Sequence, residues 1–430
     1  SIERAIIAKE RPHMAVSMAK EFIRAELNKG CRPEIFHHPV SVEPQFTPLW
    51  ALDFDPNTHC GSVCSSEKPP PRHDLVRLQV WISTDHKFDW TRSELFIKQL
   101  ARLNCRSVFE VTGNRNSVSI SCLVSHKDRL PVINAFHGVF DCCEITPADN
   151  NPLDNISGAA WVDIRFEDFF PHPPYSHLLT RPQEFRISPL TFLMSTLSNI
   201  EPPAIGLYQV VFQHVDPAHN WNRNVQILLD FEYNVKLQSG FQPPQRYAQQ
   251  SPSGDLKQMS WEVENKAHND KPFYFAAFRL AVAGADAASE DILASLSSFA
   301  ALFQHGGRPL LHVTEETYRQ RLQNIQFKDM FELGLTYRPG FLVNSEELAG
   351  LVHIPPAPGN DFRTIPIDLL DTLPAASPAL QSGTRIGTCH HAGARIPVFL
   401  SDDLRQKHTH LIGRSGMGKS TAQEHMILSD

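Results

Sequence analysis

The chain has 430 residues, of which 41% are hydrophobic and 20% charged, as in a globular protein of two to four domains. Its formal net charge of −7 argues against a generally basic nucleic-acid-binding protein, although a local basic lining could still contact DNA. The sequence has no apolar run long enough for a membrane span and no secretory signal, so we expect a cytoplasmic protein.

Residues 1–74 are expected to form an N-terminal helix and an irregular arm. Met18 and Phe22 belong to an apolar stripe with helical spacing, and Pro12 and Gly30 flank that stripe, as helix ends prefer. The following residues, 31–74, are rich in Pro, His and Ser, a composition typical of an irregular segment.

The arm and its surroundings contain residue types that bind zinc. They are His37, His38, His59, Cys60, Cys64 and His73. The Cys-x3-Cys spacing departs from the commoner two-residue spacing, and no second cysteine pair follows nearby. Ordinary loop residues are therefore favoured over zinc ligands, and we expect the eight cysteines of the chain to be reduced thiols.

Residues 75–150 alternate between strand and helix patterns. The patterns predict strands at 75–83, 107–112, 117–123 and 141–146 and helices at 92–103 and 130–140. This order, β-α-β-β-α-β, is that of a ferredoxin-like domain.

A similar order recurs in residues 151–340. Strands are predicted at 161–166, 205–214, 273–282 and 309–314, and helices at 189–197 and 289–303. Ser188 is the expected N-cap of the first of these helices, and Pro189 its first residue. A tract rich in Gln, Pro and Ser predicts a flexible insertion near 215–270. The expected class is therefore α+β with tandem ferredoxin-like domains.

The last part of the chain leads into a different kind of domain. Residues 341–382 are expected to form a linker that includes a helix starting at Ser345, and residues 383–430 a β-hairpin and the start of an α/β P-loop ATPase domain. The hairpin strands are predicted at 384–389 and 395–400, with the turn at 391–393.

A phosphate-binding motif follows this hairpin. Residues 413–420 match the pattern G-x-x-x-x-G-K-[ST], between a predicted strand at 408–412 and a predicted helix at 421–428, which is the context that such a loop requires. The expected nucleotide-binding residues are Gly413, Arg414, Ser415, Gly416, Met417, Gly418, Lys419, Ser420 and Thr421.

Each residue type in this loop suits a triphosphate. The glycines let successive backbone N–H groups point at the phosphates, and the helix adds the positive end of its dipole. We expect Lys419 to act catalytically on the β- and γ-phosphates, the Ser420 hydroxyl to bind Mg²⁺, and Thr421 to help bind phosphate. The predicted cofactors are ATP and Mg²⁺.

Hydrolysis needs further groups that a loop of this kind does not supply. An acidic residue on a later strand holds Mg²⁺, and another group positions water. Ten residues follow Ser420, too few for another strand and helix. We therefore expect the chain to be the N-terminal part of a longer ATPase, and the 430-residue chain to hydrolyse little ATP alone.

Three other features allow a functional interpretation. The strand at 117–123 contains no Lys or Arg and so offers no basic stripe for nucleic acid. The aromatic run at 166–175 suits either RNA stacking or core packing, and core packing is favoured because the K/R-G-F/Y-G/A-F motif is missing. His390 and His391 beside Cys389 suit either a metal site or, preferably, a hairpin turn.

The residues around the loop resemble a known family. The hairpin with Pro397-Val398-Phe399-Leu400, Arg405, and the run 408–421 (HTHLIGRSGMGKST) look like the entry to the motor domain of the HerA/FtsK superfamily, which includes the conjugative coupling ATPases. The upstream stretch 345–355 (SEELAGLVHIP) resembles the lead-in of the conjugation-type members.

The resemblance implies a hexameric, ATP-driven translocase or helicase on double-stranded DNA. A HerA-like machine with a nuclease or other effector partner, in DNA repair or phage defence, is favoured because no membrane anchor is seen. The acidic metal ligand and the arginine finger of the family have no matching positions in the chain.

Two alternatives stay open. In the first, the P-loop only switches the assembly of a scaffold protein on nucleotide binding. In the second, the protein is a secretion-type ATPase that handles protein substrates. Measurements of DNA-stimulated ATPase activity and of DNA binding distinguish the DNA motor, the scaffold protein and the secretion-type ATPase.

Overall fold

The computed structural model describes most of the chain after residue 65. The described residues are 35–43, 66–103, 105–148, 151–156, 158–171, 178–216, 265–268, 270–284, 288–358, 365–370, 380–407, 412, 414, 416 and 418–428. The predicted N-terminal helix and nearly all of the predicted insertion lie outside them. Helices and strands are built around one largely antiparallel sheet of ten strands, which confirms the α+β class.

The first half of the sheet follows the predicted order of elements. They are β1 (Leu75–Ser83), α1 (Trp90–Leu100), β2 (Ser107–Gly113), β3 (Val118–Ser125), α2 (Arg129–Val139) and β4 (Glu144–Pro147). The strands lie in the spatial order β4-β1-β3-β2, and every neighbouring pair is antiparallel. The predicted sequence of strands and helices is confirmed, with bounds that differ by up to three residues.

The second half repeats this pattern with additions. Its elements are α3 (Gly158–Val162), β5 (Arg165–Phe170), α4 (Pro189–Leu197), β6 (Ile205–His214), β7 (Phe273–Ala283), α5 (Ser289–Ser297), β8 (Gln304–His305), β9 (Arg308–Pro309) and β10 (Leu311–Thr314). The spatial order is β10-β5-β7-β6, again antiparallel throughout. The small hairpin of β8 and β9 stands apart from the sheet.

One predicted strand of this half is wrong. The pattern at 161–166 predicts a strand, but Trp161 belongs to α3 and the strand begins at Arg165. The Trp161 side chain is buried and stacks on Phe331, with ring centroids 6.2 Å apart. Its apolar character therefore reflects packing of a short helix rather than the start of a strand.

The two halves form one continuous sheet because β2 pairs with β6. The pairing is antiparallel and runs from Ser107 opposite Phe212 to Gly113 opposite Gly206. Gly113 allows a tight turn into β3, since a Cβ there would stand 2.5 Å from the Ser117 carbonyl oxygen. The second strands of the two halves therefore meet at the centre of the sheet.

Aromatic side chains dominate the core on the face covered by α1, α2, α4 and α5. In the first half, Phe96, Phe136 and Phe140 pack with ring centroids 4.9–5.9 Å apart. In the second half, Phe299 and Phe303 cover Phe278 of β7. Full burial of a phenylalanine contributes about 1.5–3 kcal/mol, so these clusters hold the helices on the sheet.

The segment after β10 returns to the sheet. Its elements are α6 (Glu315–Arg319), α7 (Asn324–Glu332), β11 (Phe341–Asn344) and α8 (Ser345–Leu351). β11 pairs with the first residues of β7, and α8 packs against α1. Residues 341–354, within the predicted linker, are all buried. Near them, β12 (Leu369–Leu370) pairs in parallel with the end of β1.

A row of buried polar side chains crosses the other face of the sheet, beneath α7. The register places Ser121 opposite Glu110, Glu110 opposite Gln209, Gln209 opposite Arg279, and Arg279 opposite Asp168. We call these five residues the polar row. It begins in β3, crosses the junction of β2 and β6, and ends in β5.

Hydrogen bonds connect four members of the polar row, Ser121, Glu110, Gln209 and Arg279, and the fifth, Asp168, is bound by Arg338. Gln209 Nε2 donates to Glu110 Oε1 at 2.5 Å, and Arg279 Nε donates to Gln209 Oε1 at 2.7 Å. Arg338 donates to both Asp168 carboxylate oxygens at 2.6 Å, and Arg77 pairs with Glu110. Buried charges require partners of this kind, because an isolated charge in the interior is strongly unfavourable.

The final described elements lie outside the ten-stranded sheet. They are β13 (Thr384–His391), β14 (Ala394–Leu400), α9 (Asp402–Arg405) and α10 (Lys419–Leu428). β13 and β14 form the predicted antiparallel hairpin. Its two turn residues, Ala392 and Gly393, have positive φ values of 46° and 78°, as two-residue hairpin turns with right-handed twist require.

Candidate functional site

The structure describes part of the predicted phosphate-binding loop. Arg414, Gly416, Gly418 and residues 419–428 are described, whereas Gly413, Ser415, Met417 and the predicted strand up to Leu411 lie outside the described residues. The loop ends where α10 begins, at Lys419, two residues before the predicted helix start. Lys419 and Ser420 therefore belong to the first turn of the helix.

Glycine is required by the backbone of the loop. Gly416 has a φ of +85° and Gly418 a φ of +79°, a region that side chains with a Cβ adopt at a cost. A Cβ at either position would meet nothing within 4 Å, so the requirement is conformational and not steric. Alternating left-handed residues of this kind turn successive N–H groups toward the same side of the loop.

The Lys419 side chain bends back over the loop. Its Nζ donates to the Arg414 carbonyl oxygen at 3.0 Å, a contact between residues five apart in sequence. The ammonium is thereby held beside the backbone that the motif assigns to phosphate binding. A triphosphate bound there would meet a positive charge at the start of the helix.

The first turn of α10 supplies the other predicted groups. The first helical hydrogen bond runs from Ala422 N to the Gly418 oxygen at 2.9 Å, so the earlier N–H groups of Lys419, Ser420 and Thr421 precede the helical ladder. The side chains of Ser420 and Thr421 are exposed. The turn carries no acidic side chain, which suits an anionic ligand.

These residues fit a nucleotide with Mg²⁺. The donors are backbone N–H groups and an ammonium, which match phosphate oxygens, and a serine hydroxyl, which is the oxygen ligand that Mg²⁺ meets in such loops. The structure brings together Arg414, Lys419, Ser420 and Thr421 from the predicted site.

The hairpin links the loop to the ten-stranded sheet. α10 lies against β13, and Arg405 of α9 donates from a guanidinium nitrogen to Thr384 Oγ1 at 2.9 Å. At the far end, Gly393 of the turn lies against Trp81 of β1, where a Cβ would stand 3.0 Å from the indole. The hairpin therefore contacts both α10 and the sheet.

The lead-in stretch 345–355 is held by His353. Its Nε2 accepts from the Ser188 hydroxyl at 2.7 Å, while Nδ1 lies 3.2 Å from the Ala349 carbonyl oxygen. The ring also packs against Trp90, with centroids 4.9 Å apart. Burial lowers the pKa of His353 to about 3, so the ring is neutral near neutral pH.

The predicted start of α4 is confirmed, with Ser188 at the N-cap position and Pro189 as the first helical residue. Ser188 precedes the helix, but its side chain makes no capping hydrogen bond. Its hydroxyl is used by His353, a residue far along the chain. The predicted helix at Ser345 is confirmed, and Asn344 and Glu347 form its capping box.

A buried ion pair fixes the same stretch. Lys266 Nζ lies 3.0 Å from Glu347 Oε1, and both side chains are fully buried. The same carboxylate oxygen accepts from the Leu179 N–H at 2.7 Å. Burial lowers the pKa of Lys266, and the Glu347 carboxylate opposes this shift. The pair joins three distant segments, which indicates a structural role.

The aromatic run belongs to the core. Phe166, Phe169 and Phe170 are each at most 4% exposed, which confirms core packing and leaves no ring for RNA stacking among them. Phe166 packs edge-on against Tyr318, with centroids 5.1 Å apart. Residues 172–175 of the run lie outside the described residues.

The predicted metal candidates are only partly visible. His37 and His38 lie next to each other, with ring centroids 4.7 Å apart, and His73 is exposed. His59, Cys60 and Cys64 fall in a stretch that the structure leaves undescribed. Cys389 and His391 lie on β13 of the predicted hairpin, but on the strand and not in the turn favoured from the sequence, which is formed by Ala392 and Gly393.

One group of metal-binding residue types was missed. His86, Cys142 and Cys143 come together at one end of the first half of the sheet. The predicted strand order could have found them, because adjacent antiparallel β1 and β4 bring the loop after β1 beside the loop before β4.

Within the described residues, no helix is both long and apolar enough to cross a membrane. A scan against protein-family models gives no match, and a comparison with curated proteins gives no significant one. The sequence motif and the geometry around Lys419 are therefore the observations that bear on function.

Proposed function

We propose that the chain binds a nucleoside triphosphate with Mg²⁺ at residues 413–420. The contact between Lys419 and the Arg414 carbonyl carries this proposal, because it places an ammonium inside a glycine-rich loop at a helix N-terminus. Lys419 contacts the β- and γ-phosphates, Ser420 binds the metal, and Thr421 and the loop N–H groups hold the remaining phosphate oxygens.

Nucleotide binding is tested with a fluorescent ATP analogue and the purified 430-residue chain. We expect Lys419→Met to weaken binding by about 10- to 100-fold, since a hydrogen bond to a charged group contributes about 1.5–3 kcal/mol. Lys407→Met, which removes an exposed lysine outside the loop, is the matched control. Equal affinity of the Lys419 variant and the wild-type chain would refute the proposal.

Metal dependence gives a second measurement. Ser420→Ala should reduce the gain in affinity that Mg²⁺ gives, while Thr421→Ala should leave that gain largely intact. The two residues are neighbours on the first turn of α10, so this comparison separates metal binding from a general disturbance of the turn. The same gain in both variants would exclude Ser420 as the metal ligand.

We further propose that the chain is part of an ATP-driven DNA translocase or helicase of the HerA-like type. The resemblance of residues 386–421 to that superfamily supports this, as does the hairpin of β13 and β14 upstream of the loop. In this proposal the two halves of the sheet are tandem ferredoxin-like units. Their shared order of four antiparallel strands supports that description.

The partners that go with this activity are double-stranded DNA, five further copies in a hexamer, and a nuclease or other effector in DNA repair or phage defence. ATPase activity should be measured with and without double-stranded DNA, on the protein at the length made in the cell. Stimulation by DNA supports the motor. Light scattering with and without nucleotide measures the number of copies.

A nucleotide-switched scaffold is the second candidate. The contact of Gly393 with Trp81 favours it, because the element next to the loop touches the ten-stranded sheet and could pass on a change at the loop. Assembly that depends on nucleotide, with an ATPase rate indifferent to DNA, would support the switch over the motor. DNA binding of any kind argues against a secretion-type ATPase.

A further inference from the structure

Two loops meet at one end of the first half of the sheet. β1 and β4 are antiparallel neighbours, with Trp81 opposite Glu144, so the chain leaving β1 passes beside the chain entering β4. The first loop carries His86, and the second carries Cys142 and Cys143. The strand order therefore gathers three side chains that are distant in sequence.

The three side chains have the spacing of metal ligands. One donor atom from each residue lies within 4.8 Å of the other two. His86 Nδ1 and Cys142 Sγ are 3.6 Å apart. A tetrahedral Zn²⁺ with bonds of about 2.0–2.1 Å to nitrogen and about 2.3 Å to sulfur puts these two atoms about 3.6 Å apart. The pair thus already has the required separation.

The surroundings suit a soft, partly dehydrated cation. His86 and Cys143 are each about 5% exposed, whereas Cys142 is half-buried and gives access from solvent. Phe140 packs edge-on against the His86 ring, with centroids 6.1 Å apart. The neighbouring Asp141 carboxylate is engaged by Arg92 at 2.7 Å. Oxygen ligands are thus few, which disfavours Mg²⁺ and Ca²⁺.

We propose that His86, Cys142 and Cys143 bind one Zn²⁺ ion, with an exchangeable ligand such as water in the fourth position. Nitrogen and sulfur donors in this ratio select zinc over hard cations, and two thiolates neutralise its charge. The ion ties the loop before α1 to the loop after α2. This role is independent of nucleotide binding at residues 413–420.

The test begins with metal content. The 430-residue chain is reconstituted with Zn²⁺ under reducing conditions and desalted, and its zinc is measured by elemental analysis. Because Cys60 and Cys64 offer another zinc-binding pair, the measurement is made in a Cys60→Ser/Cys64→Ser background. We expect about one zinc per chain there, as a single tetrahedral site requires. No zinc in that background overturns the proposal.

The ligand variants then locate the ion. Adding Cys142→Ser/Cys143→Ser to the same background should remove the zinc, and His86→Asn should weaken its retention at least about tenfold, as the loss of a ligand does. Zinc retained at full stoichiometry in the first of these variants overturns the proposal. Cys105→Ser and Cys122→Ser, which alter cysteines elsewhere in the sheet half, should keep the ion.

A spectroscopic measurement does not depend on the folding of variants that lack His86, Cys142 or Cys143. X-ray absorption at the zinc edge, in the Cys60→Ser/Cys64→Ser chain, should give two sulfur neighbours at about 2.3 Å and nitrogen or oxygen neighbours at about 2.0–2.1 Å. A shell without sulfur overturns the proposal. So does a proteolytic peptide containing Cys142 and Cys143 whose mass, after purification under the same reducing conditions, is lower by the two hydrogens of a disulfide between them.

Discussion

Replacing Arg279 with alanine should destabilise the fold strongly. This side chain is 1% exposed and lies in the polar row at the centre of the sheet. It donates to Gln209 Oε1, to the Leu335 carbonyl oxygen at 2.9 Å and to the Met330 carbonyl oxygen at 2.8 Å, and it stacks on Phe331.

The expected loss follows from the acceptors left behind. The Met330 oxygen keeps a bond from the Leu335 N–H, but Gln209 Oε1 and the Leu335 oxygen lose the donor that Arg279 supplies. A buried acceptor without a donor costs about 1–3 kcal/mol, so two give a loss of about 4 kcal/mol in the free energy of unfolding. The cavity left by the side chain adds to this loss.

Urea unfolding followed by circular dichroism measures the change. Arg115→Ala is the matched control, because its ion pair with Glu201 is about two-thirds exposed and should contribute at most about 1 kcal/mol. Arg279→Met, which keeps volume but not donors, should lie between the two. A loss for Arg279→Ala as small as that of the control would refute the reasoning.

Two further predictions concern pH and packing. Because the pKa of His353 is about 3 in the folded chain and 6.5 is its ordinary value, the unfolded chain binds the proton first as pH falls. Stability should therefore drop by up to about 1.4 kcal/mol per pH unit between these values, and His353→Gln should remove this part of the pH dependence in urea unfolding. Gly113→Ala should destabilise the fold by about 1–3 kcal/mol, because the added Cβ would contact the Ser117 backbone. The matched control is Gly138→Ala on α2, where a Cβ would meet no other atom within 4 Å. Thermal melts should show this control to be as stable as the wild-type chain or more stable. A more stable Gly113 variant would contradict the packing argument.

The order of elements was readable from local patterns. Strands such as 205–214 were predicted to the residue, because an apolar run between turn residues marks a buried strand. Local sequence patterns gave wrong predictions where contacts with residues distant in sequence determine the structure. Trp161 is apolar because it packs on Phe331. Ser188 occupies the predicted N-cap position, but its hydroxyl is bonded to His353 instead of capping its own helix.

The sequence does not predict that the two halves of the sheet are joined. β2 and β6 are buried on both faces, so their residues carry no alternation that marks a neighbour. The proposed phosphate-binding loop is the opposite case, since the residues predicted to bind phosphate lie within a short continuous stretch. The cluster of His86, Cys142 and Cys143 is intermediate between these two cases. Its prediction requires only the order of the strands in the first half of the sheet.

The polar row also favours a single register of β7 in the sheet. A shift of β7 by one residue would turn Arg279 toward the face where Phe278 packs on Phe299 and Phe303. The guanidinium would then be buried among aromatic rings without its acceptors, while Phe278 or Leu280 would lie opposite Gln209 and Asp168. Such a pairing is strongly penalised, so the charged residues reject misaligned sheets that apolar strands alone would tolerate.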